Sequence, residues 1–151
     1  MATKSIGEIM TEKLEKIIAT ASAQEAAKKM RDKNVSSLIV TDTNDKPIGI
    51  ITERNLVRRV VANHANSSAV KVQDVMSSPP ISIDANSPVE SAADVMIQNK
   101  VRHLLVVDNN DISRPLGIIT TTDFASYLKD NLNMDDINAK ILESLKEEGE
   151  L

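Results

Sequence analysis

The sequence contains no cysteine and no tryptophan, and only one phenylalanine and one tyrosine among 151 residues. Without cysteine the chain can form neither disulfides nor thiolate zinc sites, which fits a reducing compartment, so we expect a cytoplasmic protein. With so few aromatic rings it has little on which nucleic-acid bases could stack. A formal net charge of −4 also opposes neutralisation of a phosphate backbone. We therefore expect no nucleic-acid partner.

Long apolar runs and the signatures of common catalytic sites are absent as well. No segment approaches the ~20 apolar residues of a membrane-spanning helix, and no signal-peptide core follows Met1, so we expect no membrane partner. No serine stands in a nucleophile-elbow context, and no glycine-rich phosphate loop precedes a lysine. Asp135 and Asp136 are typical of first-turn helix acids rather than of a metal pair. The sequence thus favours a protein that is not an enzyme and holds no metal.

What the sequence does contain is an internal repeat. The matched segments share one offset of 66 residues: 9–10 with 75–76, 26–30 with 92–96, and 34–40 with 100–106. Residues 47–52 recur as 115–120 at an offset of 68, because two residues are inserted in the intervening turn. A solenoid needs three or more copies, so two copies indicate a pair related by a pseudo-twofold axis, with two related clefts between its halves.

Each copy has the pattern of a β-α-β-β-α unit. Short apolar runs predict the strands, and apolar residues at helical spacing predict the first helix of each copy. In the first copy these helical positions are Ala23, Ala26, Ala27 and Met30. Ser22 with Glu25 predicts a capping box at the start of that helix, and Ser87 with Glu90 predicts its counterpart, with Pro88 as the first helical residue.

These patterns predict a mixed α/β (α+β) fold of two tandem units packed with pseudo-twofold symmetry through their sheets. The expected segments are a first repeat at 5–62, a linker at 63–70, a second repeat at 71–130 and a C-terminal tail helix at 131–151. One narrow apolar face runs along the tail, at Ile137, Ile141, Leu142 and Leu145. We expect this face to dock on the module itself or on a second copy of the chain.

The sharpest local signal is the corner between the last strand and the last helix of each copy. Thr52 with Asn55 marks the first corner, and Thr120 with Asp123 marks the second. Helix capping alone would account for these residues. A carboxylate at a helix N-terminus can also accept hydrogen bonds from two vicinal hydroxyls, as a ribose presents them. The glycine three residues before each threonine would then let a ligand approach the backbone.

With its paired Gly-hydrophobic-hydrophobic-Thr-x-x-Asp/Asn corners and Asn/Lys-Val-x-x-Leu strands, the repeat resembles the cystathionine β-synthase (CBS) domain over about residues 5–130. Two such domains in tandem resemble a Bateman module. The resemblance implies a regulatory, energy-sensing module that binds AMP, ADP or ATP and acts on a separate partner protein. It also implies a homodimer whose contacts come from the corner helices, 54–62 and 122–130.

The resemblance further implies a role for individual residues. The ribose-binding residues would be Thr120 and Asp123 in one cleft and Thr52 and Asn55 in the other. The adenine walls would be Ile17, Ile18, Ala19, Val35 and Ser36 in the Thr120 cleft, and Ile81, Ser82, Ile83 and Val101 in the Thr52 cleft. The phosphate-binding residues would be Arg102, His103 and Arg54. Arg58 and Arg59 are expected to be solvated helix charges or partners for nearby acids.

Two departures keep other interpretations open. Asn55 stands where the family usually has aspartate, and a carboxamide offers one acceptor oxygen where a carboxylate can accept from two hydroxyls, so we expect unequal clefts with the Asp123 cleft the tighter. The ligand could instead be S-adenosylmethionine or methylthioadenosine, which need an apolar sulfur pocket; Arg102 and His103 favour phosphates. A ligand-free dimerisation or interaction module is the third interpretation.

Overall fold

The computed structural model describes residues 4–131, 134–147 and 149. Its strands are Lys16–Ile18 (β1), Ser37–Thr41 (β2), Pro47–Thr52 (β3), Ser82–Asp84 (β4), His103–Asp108 (β5) and Asp111–Thr120 (β6). Its helices are Ile6–Ile9 (α1), Ala23–Lys33 (α2), Glu53–Leu56 (α3), Val72–Val75 (α4), Val89–Asn99 (α5), Thr121–Asn131 (α6) and Met134–Glu147 (α7). A π-helical segment, Val57–Val61, continues α3. The predicted α+β architecture of two β-α-β-β-α repeats is confirmed.

In the described part of the chain, each repeat forms one three-stranded sheet with the same topology. The first strand runs parallel to the second, and the second pairs antiparallel with the third. The registers also match, since Ser37 lies opposite Thr52 in one sheet and His103 lies opposite Thr120 in the other. Both strand-to-helix corners therefore leave their sheets at equivalent positions.

Helices α2 and α5 pack against their own sheets through small residues. Ala23, Ala26 and Met30 are buried in α2, whereas Ala27 is exposed, so the predicted stripe is one residue too wide. The capping box of α2 is confirmed, because Glu25 N donates to Ser22 Oγ at 3.1 Å and Ser22 N donates to a Glu25 carboxylate oxygen at 2.9 Å. These two bonds satisfy backbone donors that the helix itself leaves unpaired.

The capping box predicted for α5 is wrong. Pro88 is the N-cap residue, without a capping side chain, and the helix begins at Val89. Ser87 N donates instead to Asp84 O in a turn, and Pro88 forms an isolated bridge with Ser5 near the start of the chain. The bridge between Ser5 and Pro88 holds Pro88 in an extended conformation, so the helix begins one residue later than predicted.

Each of the short helices α1 and α4 precedes one repeat in the chain but packs on the other repeat. Ile6 N donates to Ser87 O at 2.9 Å, so α1 attaches to the second repeat. Val72 N donates to Ala21 O at 2.8 Å, so α4 attaches to the first. We call residues 4–11 and 70–77 the crossing segments. The segment before each repeat thus completes the fold of the other.

The corner glycines accommodate these crossing segments. A Cβ atom on Gly117 would lie 2.6 Å from Thr11 O and 2.7 Å from Met10 Sδ. A Cβ atom on Gly49 would lie 2.5 Å from Met76 Sδ. The expectation that these glycines open the backbone to a ligand is therefore wrong, because each one makes room for a methionine and the main chain of a crossing segment.

The two sheets pack against each other through a shared apolar layer. Its buried members come from both repeats: Ile39, Ile50, Leu105, Val107 and Ile118. The other face of each sheet forms a separate core with its own helices, which the opposite crossing segment completes. This arrangement places the corner of one repeat beside the second strand of the other.

The tail folds as the helix α7, in which Leu145 is partly buried, and docking of its apolar face on the module stays a prediction. Ile141 and Leu142 are each more than half exposed. The side chains of Ile137, Asp135 and Asp136 lie outside the described residues, and docking on a second copy stays a prediction. Across the part of the chain that the structure describes, no helix has the length and apolar character to span a bilayer.

Candidate functional site

A cavity of about 190 Å³ lies beside the second corner, between the repeats. We call it the Thr120 cavity. Its lining residues come from both repeats and from the first crossing segment: Thr11, Lys13, Glu15, Asn34, Val35, Ser36, Ser37, Ile39, Ile118 and Thr120. Hydroxyl groups and two opposite charges thus line the space together with a few apolar side chains. Polar groups that converge on a concave site are the usual features of a small-molecule pocket.

The second corner carries the carboxylate of Asp123, whose partners Thr120 and Thr11 line this cavity, while Asp123 itself lines a second cavity of about 200 Å³ with Lys4, Ser126 and Tyr127. Thr120 N donates to Asp123 Oδ2 at 2.9 Å, and Thr120 Oγ1 donates to the same oxygen at 3.3 Å. The other oxygen, Oδ1, accepts a hydrogen bond from Thr11 Oγ1 at 3.0 Å. Because a carboxylate has about four acceptor positions, partly exposed Asp123 keeps capacity for a further donor.

The first corner uses the same positions in a different way. Asn55 Oδ1 accepts from Thr52 N at 2.9 Å, and Asn55 Nδ2 donates to Ser77 Oγ at 3.2 Å. The residue is only 7% exposed. Thr11 and Ser77 are equivalent residues of the two crossing segments, so the bond to the corner has opposite direction in the two repeats. Asn55 is therefore occupied with holding α3 and the second crossing segment.

A hydrogen bond joins the two repeats at the edge of the Thr120 cavity. Ser36 Oγ and His103 Nε2 lie 2.8 Å apart. Burial lowers the pKa of His103, the positive charge of Arg102 lowers it further, and the carboxylate of Asp123 partly opposes both effects. The imidazole is consequently neutral at neutral pH. Arg102 itself is exposed, and its carbonyl accepts a hydrogen bond from Thr121 N at 3.3 Å.

The residues predicted as the adenine wall of this cleft divide into two groups. Val35 and Ser36 line the cavity together with Thr120. Ile17 and Ile18 do not, because they pair with Val40 and Thr41 at the far end of β1, and Ala19 is buried in the first core. The wall is completed instead by Lys13 and Glu15, which precede β1.

Three of the four residues predicted as the adenine wall of the Thr52 cleft lie in or against the second core. Ile81 and Val101 are partly buried against the second core, Ile83 belongs to that core, and Ser82 is exposed. Arg54 is exposed on α3.

Seven of the ten lining residues and one structural arginine were not predicted as site residues; the seven are Thr11, Lys13, Glu15, Asn34, Ser37, Ile39 and Ile118. Thr11, Lys13 and Glu15 lie outside the predicted strands; the only signal for Thr11 is that Ser77 repeats its hydroxyl. Arg59 is exposed, as expected for a solvated helix charge, but it also has a structural role that was not predicted. Its guanidinium donates to Val75 O at 3.0 Å and to Met76 O at 2.7 Å, where it caps the carbonyls at the end of α4. Within the described ranges, no three His, Asp or Glu side chains form a group suited to a metal.

Comparison with known proteins identifies the two repeats. The CBS domain family matches residues 6–62 and again residues 72–130. The chain belongs to the CBS domain family. Its β-α-β-β-α units are therefore two CBS domains, and together they form a CBS pair.

Relatives of the CBS pair include proteins of archaea. An uncharacterized protein of Methanopyrus kandleri is 36% identical over 123 residues, which cover 82% of this chain and 62% of that protein. This chain thus spans less than two thirds of that relative. The crystal structure of an uncharacterized conserved protein from Pyrococcus horikoshii matches with a TM-score of 0.79 at 25% identity, over 88% of this chain and 98% of the other.

One further structure of the same fold holds a ligand. A CBS domain protein from Pyrobaculum aerophilum, complexed with AMP, matches with a TM-score of 0.71 at 23% identity. The match covers 79% of this chain and 88% of that chain. At this level of identity the comparison shows that the two proteins share the fold.

Proposed function

We propose that the CBS pair is a regulatory module that binds an adenosine nucleotide (AMP, ADP or ATP) in the Thr120 cavity and signals to a separate partner protein. The observation that carries this proposal is the Thr120–Asp123 corner, a carboxylate with spare acceptor capacity beside a cavity that both repeats line. A ligand that bridges the repeats can change their relative arrangement, provided that it binds the two arrangements with different affinity. The nucleotide is a regulatory ligand in this proposal, and the chain is not an enzyme.

Ribose binding follows from the chemistry of the corner. Asp123 offers a charged acceptor to a sugar hydroxyl, and charge-assisted hydrogen bonds are the stronger ones. Thr120 supplies a hydroxyl that can bond to the second sugar oxygen. The base would then lie against Val35 and Ser36. The AMP-bound fold neighbour from P. aerophilum supports a nucleotide as the class of ligand.

The phosphate group would lie near the rim of the cavity, beside Arg102 and His103, the second of which bonds to Ser36. Arg54 would serve the same purpose at the first corner. The hydroxyl groups and the charged pair of Lys13 and Glu15 in the cavity favour a polar ligand over the sulfur-containing alternatives, S-adenosylmethionine and methylthioadenosine, which require an apolar surface.

The two clefts are unequal in this proposal. Asn55 is buried and both ends of its carboxamide already form hydrogen bonds. Burial leaves the remaining lone pair of its oxygen little access to a ribose, whereas partly exposed Asp123 can accept a ligand and keep its present partners. We therefore expect one nucleotide per chain, at Thr120. A module without any ligand, which acts only through dimerisation, remains the second candidate, because the apolar residues Val57 and Val61 are exposed on the first corner helix.

Isothermal titration with AMP, ADP, ATP and S-adenosylmethionine tests the proposal. We expect micromolar binding of a nucleotide with a stoichiometry near one. Asp123→Ala should weaken it at least ~10-fold, because a hydrogen bond to a charged group is lost. Asp123→Asn reproduces the first corner and should also weaken binding while it keeps the cap. Asn55→Asp is the matched control and should leave binding in the Thr120 cavity unchanged. If none of the four ligands binds the wild-type protein, the ligand-free interaction module replaces this proposal.

A further inference from the structure

The walls of the two clefts differ at the residues that precede the first strand of each repeat. Glu15 O accepts a hydrogen bond from Ile39 N at 2.9 Å, and Ile81 O accepts one from Leu105 N at 3.0 Å. Glu15 and Ile81 are therefore equivalent in the backbone, although one carries a carboxylate and the other an apolar side chain. The Thr120 cavity thus has an acidic group on a wall that is apolar in the other repeat.

Glu15 lines this cavity, and its carboxylate has unused acceptor capacity. Its side chain is only 18% exposed. The nearest cation, Lys13 Nζ, lies 3.9 Å away, which is beyond hydrogen-bond distance, and this ammonium donates to Lys33 O at 2.9 Å. Among the described residues, none donates a hydrogen bond to the Glu15 side chain. A carboxylate that has lost most of its contact with water gains from a ligand that brings N–H donors.

We propose that Glu15 determines the base specificity of the cavity by accepting a hydrogen bond from the exocyclic amino group of a purine, and so selects adenine over hypoxanthine. This inference rests on the proposed function, since it needs the ribose at Thr120 and Asp123. From there the base extends past Val35 and Ile39 towards Glu15, which lines the same cavity. A 6-amino group donates to the carboxylate. In the same pose a 6-oxo group places an acceptor against another acceptor, and the carboxylate gains a donor only if the base shifts to present its N1–H.

The comparison of AMP with IMP tests the inference, because these nucleotides differ only at the 6-substituent that Glu15 would contact and at the adjacent N1, which is an acceptor in AMP and an N–H donor in IMP. Wild-type protein should bind AMP at least ~10-fold more tightly than IMP in isothermal titration, the effect of one hydrogen bond to a charged group. Glu15→Gln should bring the two affinities close together, since a carboxamide accepts from the amino group and donates to the oxo group. Glu15→Ile, which matches the second repeat, should weaken AMP and leave IMP little changed.

Glu12→Gln is the matched control, because Glu12 is exposed on the same segment and does not line the cavity. It removes the same charge and should retain the wild-type preference. If AMP binds but Glu15→Gln leaves the ratio of AMP to IMP affinity unchanged, the inference on Glu15 is overturned while the proposed function stands. If neither nucleotide binds the wild-type protein, the proposed function fails first and the inference fails with it.

Discussion

Asp123 and Asn55 hold equivalent positions but bond to the crossing segments in opposite directions. Asp123 can only accept, so the hydroxyl of Thr11 donates to it; Asn55 donates through its amide to Ser77. A single exchange of an oxygen for an NH₂ group thus reverses the polarity of the contact. It also leaves the first corner with a neutral acceptor where the second has a charged one.

His103 predicts a measurable loss of stability in acid. Its pKa in the folded protein lies below the ordinary value of 6.5, because burial and Arg102 disfavour the charged ring, while Asp123 acts in the opposite sense. Ser36 is the neutral group that bonds to it. The unfolded chain therefore binds the proton more readily than the folded one. The free energy of unfolding should fall as the pH drops below about 6.5, until the folded pKa is passed.

Thermal unfolding of wild-type protein and His103→Gln between neutral and mildly acidic pH measures this contribution. Glutamine can bond to Ser36 but does not titrate, so the variant should lose part of the decline in melting temperature. His64→Gln, at an exposed position, is the control and should keep the wild-type profile. Identical profiles for all three proteins would contradict a neutral, buried imidazole at position 103.

At the scale of secondary structure, the crossing segments are the elements most sensitive to single substitutions. In Gly117→Ala the new methyl group would meet the main-chain oxygen of Thr11, which cannot rotate away. Overpacking of this kind costs about 1–3 kcal/mol, so the free energy of unfolding should decrease by that amount. Urea denaturation measures it.

Gly7→Ala is the comparison variant for this prediction. There a Cβ would lie 3.3 Å from Ala85 Cβ and Ala85 O, a contact that a small shift can relieve. We expect a smaller loss of stability than at Gly117. Equal losses of unfolding free energy in the two variants, or no loss in Gly117→Ala, would show that the crossing segment shifts more easily than its main-chain contacts indicate.

The repeat made much of the secondary structure predictable, because periodic apolar residues report directly on local burial. It did not reveal the exchange of crossing segments. Met10 and Gly117 each have a counterpart in the other repeat, yet nothing local shows that they touch, since they are far apart in the chain. The cavity residues were only partly predictable, because contacts between parts of the chain that are far apart in sequence leave no local signal. Val35 and Ser36 were expected from the resemblance to the CBS domain, whereas Lys13 and Glu15 depend on how far β1 extends, which short apolar runs do not define.

In the molecule as a whole, the segments that repeat in the sequence are not the segments that pack into one core. The division into repeats at 5–62 and 71–130, a linker at 63–70 and a tail at 131–151 stays our proposal for the sequence units. Each packed body includes the leading segment of the other unit, and the shared apolar layer joins the two sheets. The two CBS domains are therefore expected to unfold together.

The exposed apolar residues of the corner helices predict a homodimer. Val57 and Val61 lie one turn apart on the π-helical continuation of α3, and Leu128 is exposed on α6. Large apolar side chains on an exposed face favour an isologous contact between two copies. Sedimentation equilibrium should give twice the chain mass. Val61→Glu should shift the protein to the monomer, while Ile97→Glu, equally exposed on α5, should not. A monomeric wild-type protein would contradict the prediction.

The hydrogen bond between Thr11 and Asp123 has a mechanical consequence. It ties the proposed ligand site to a stretch of chain that continues directly to residue 4, across the surface of the second repeat. Tension applied to the chain ahead of that residue would reach the corner through Thr11, which pairs with Ile118 of β6 and donates to Asp123. A partner that binds this stretch of chain would therefore influence the ligand site, and by the same coupling a bound ligand would influence the binding of that partner.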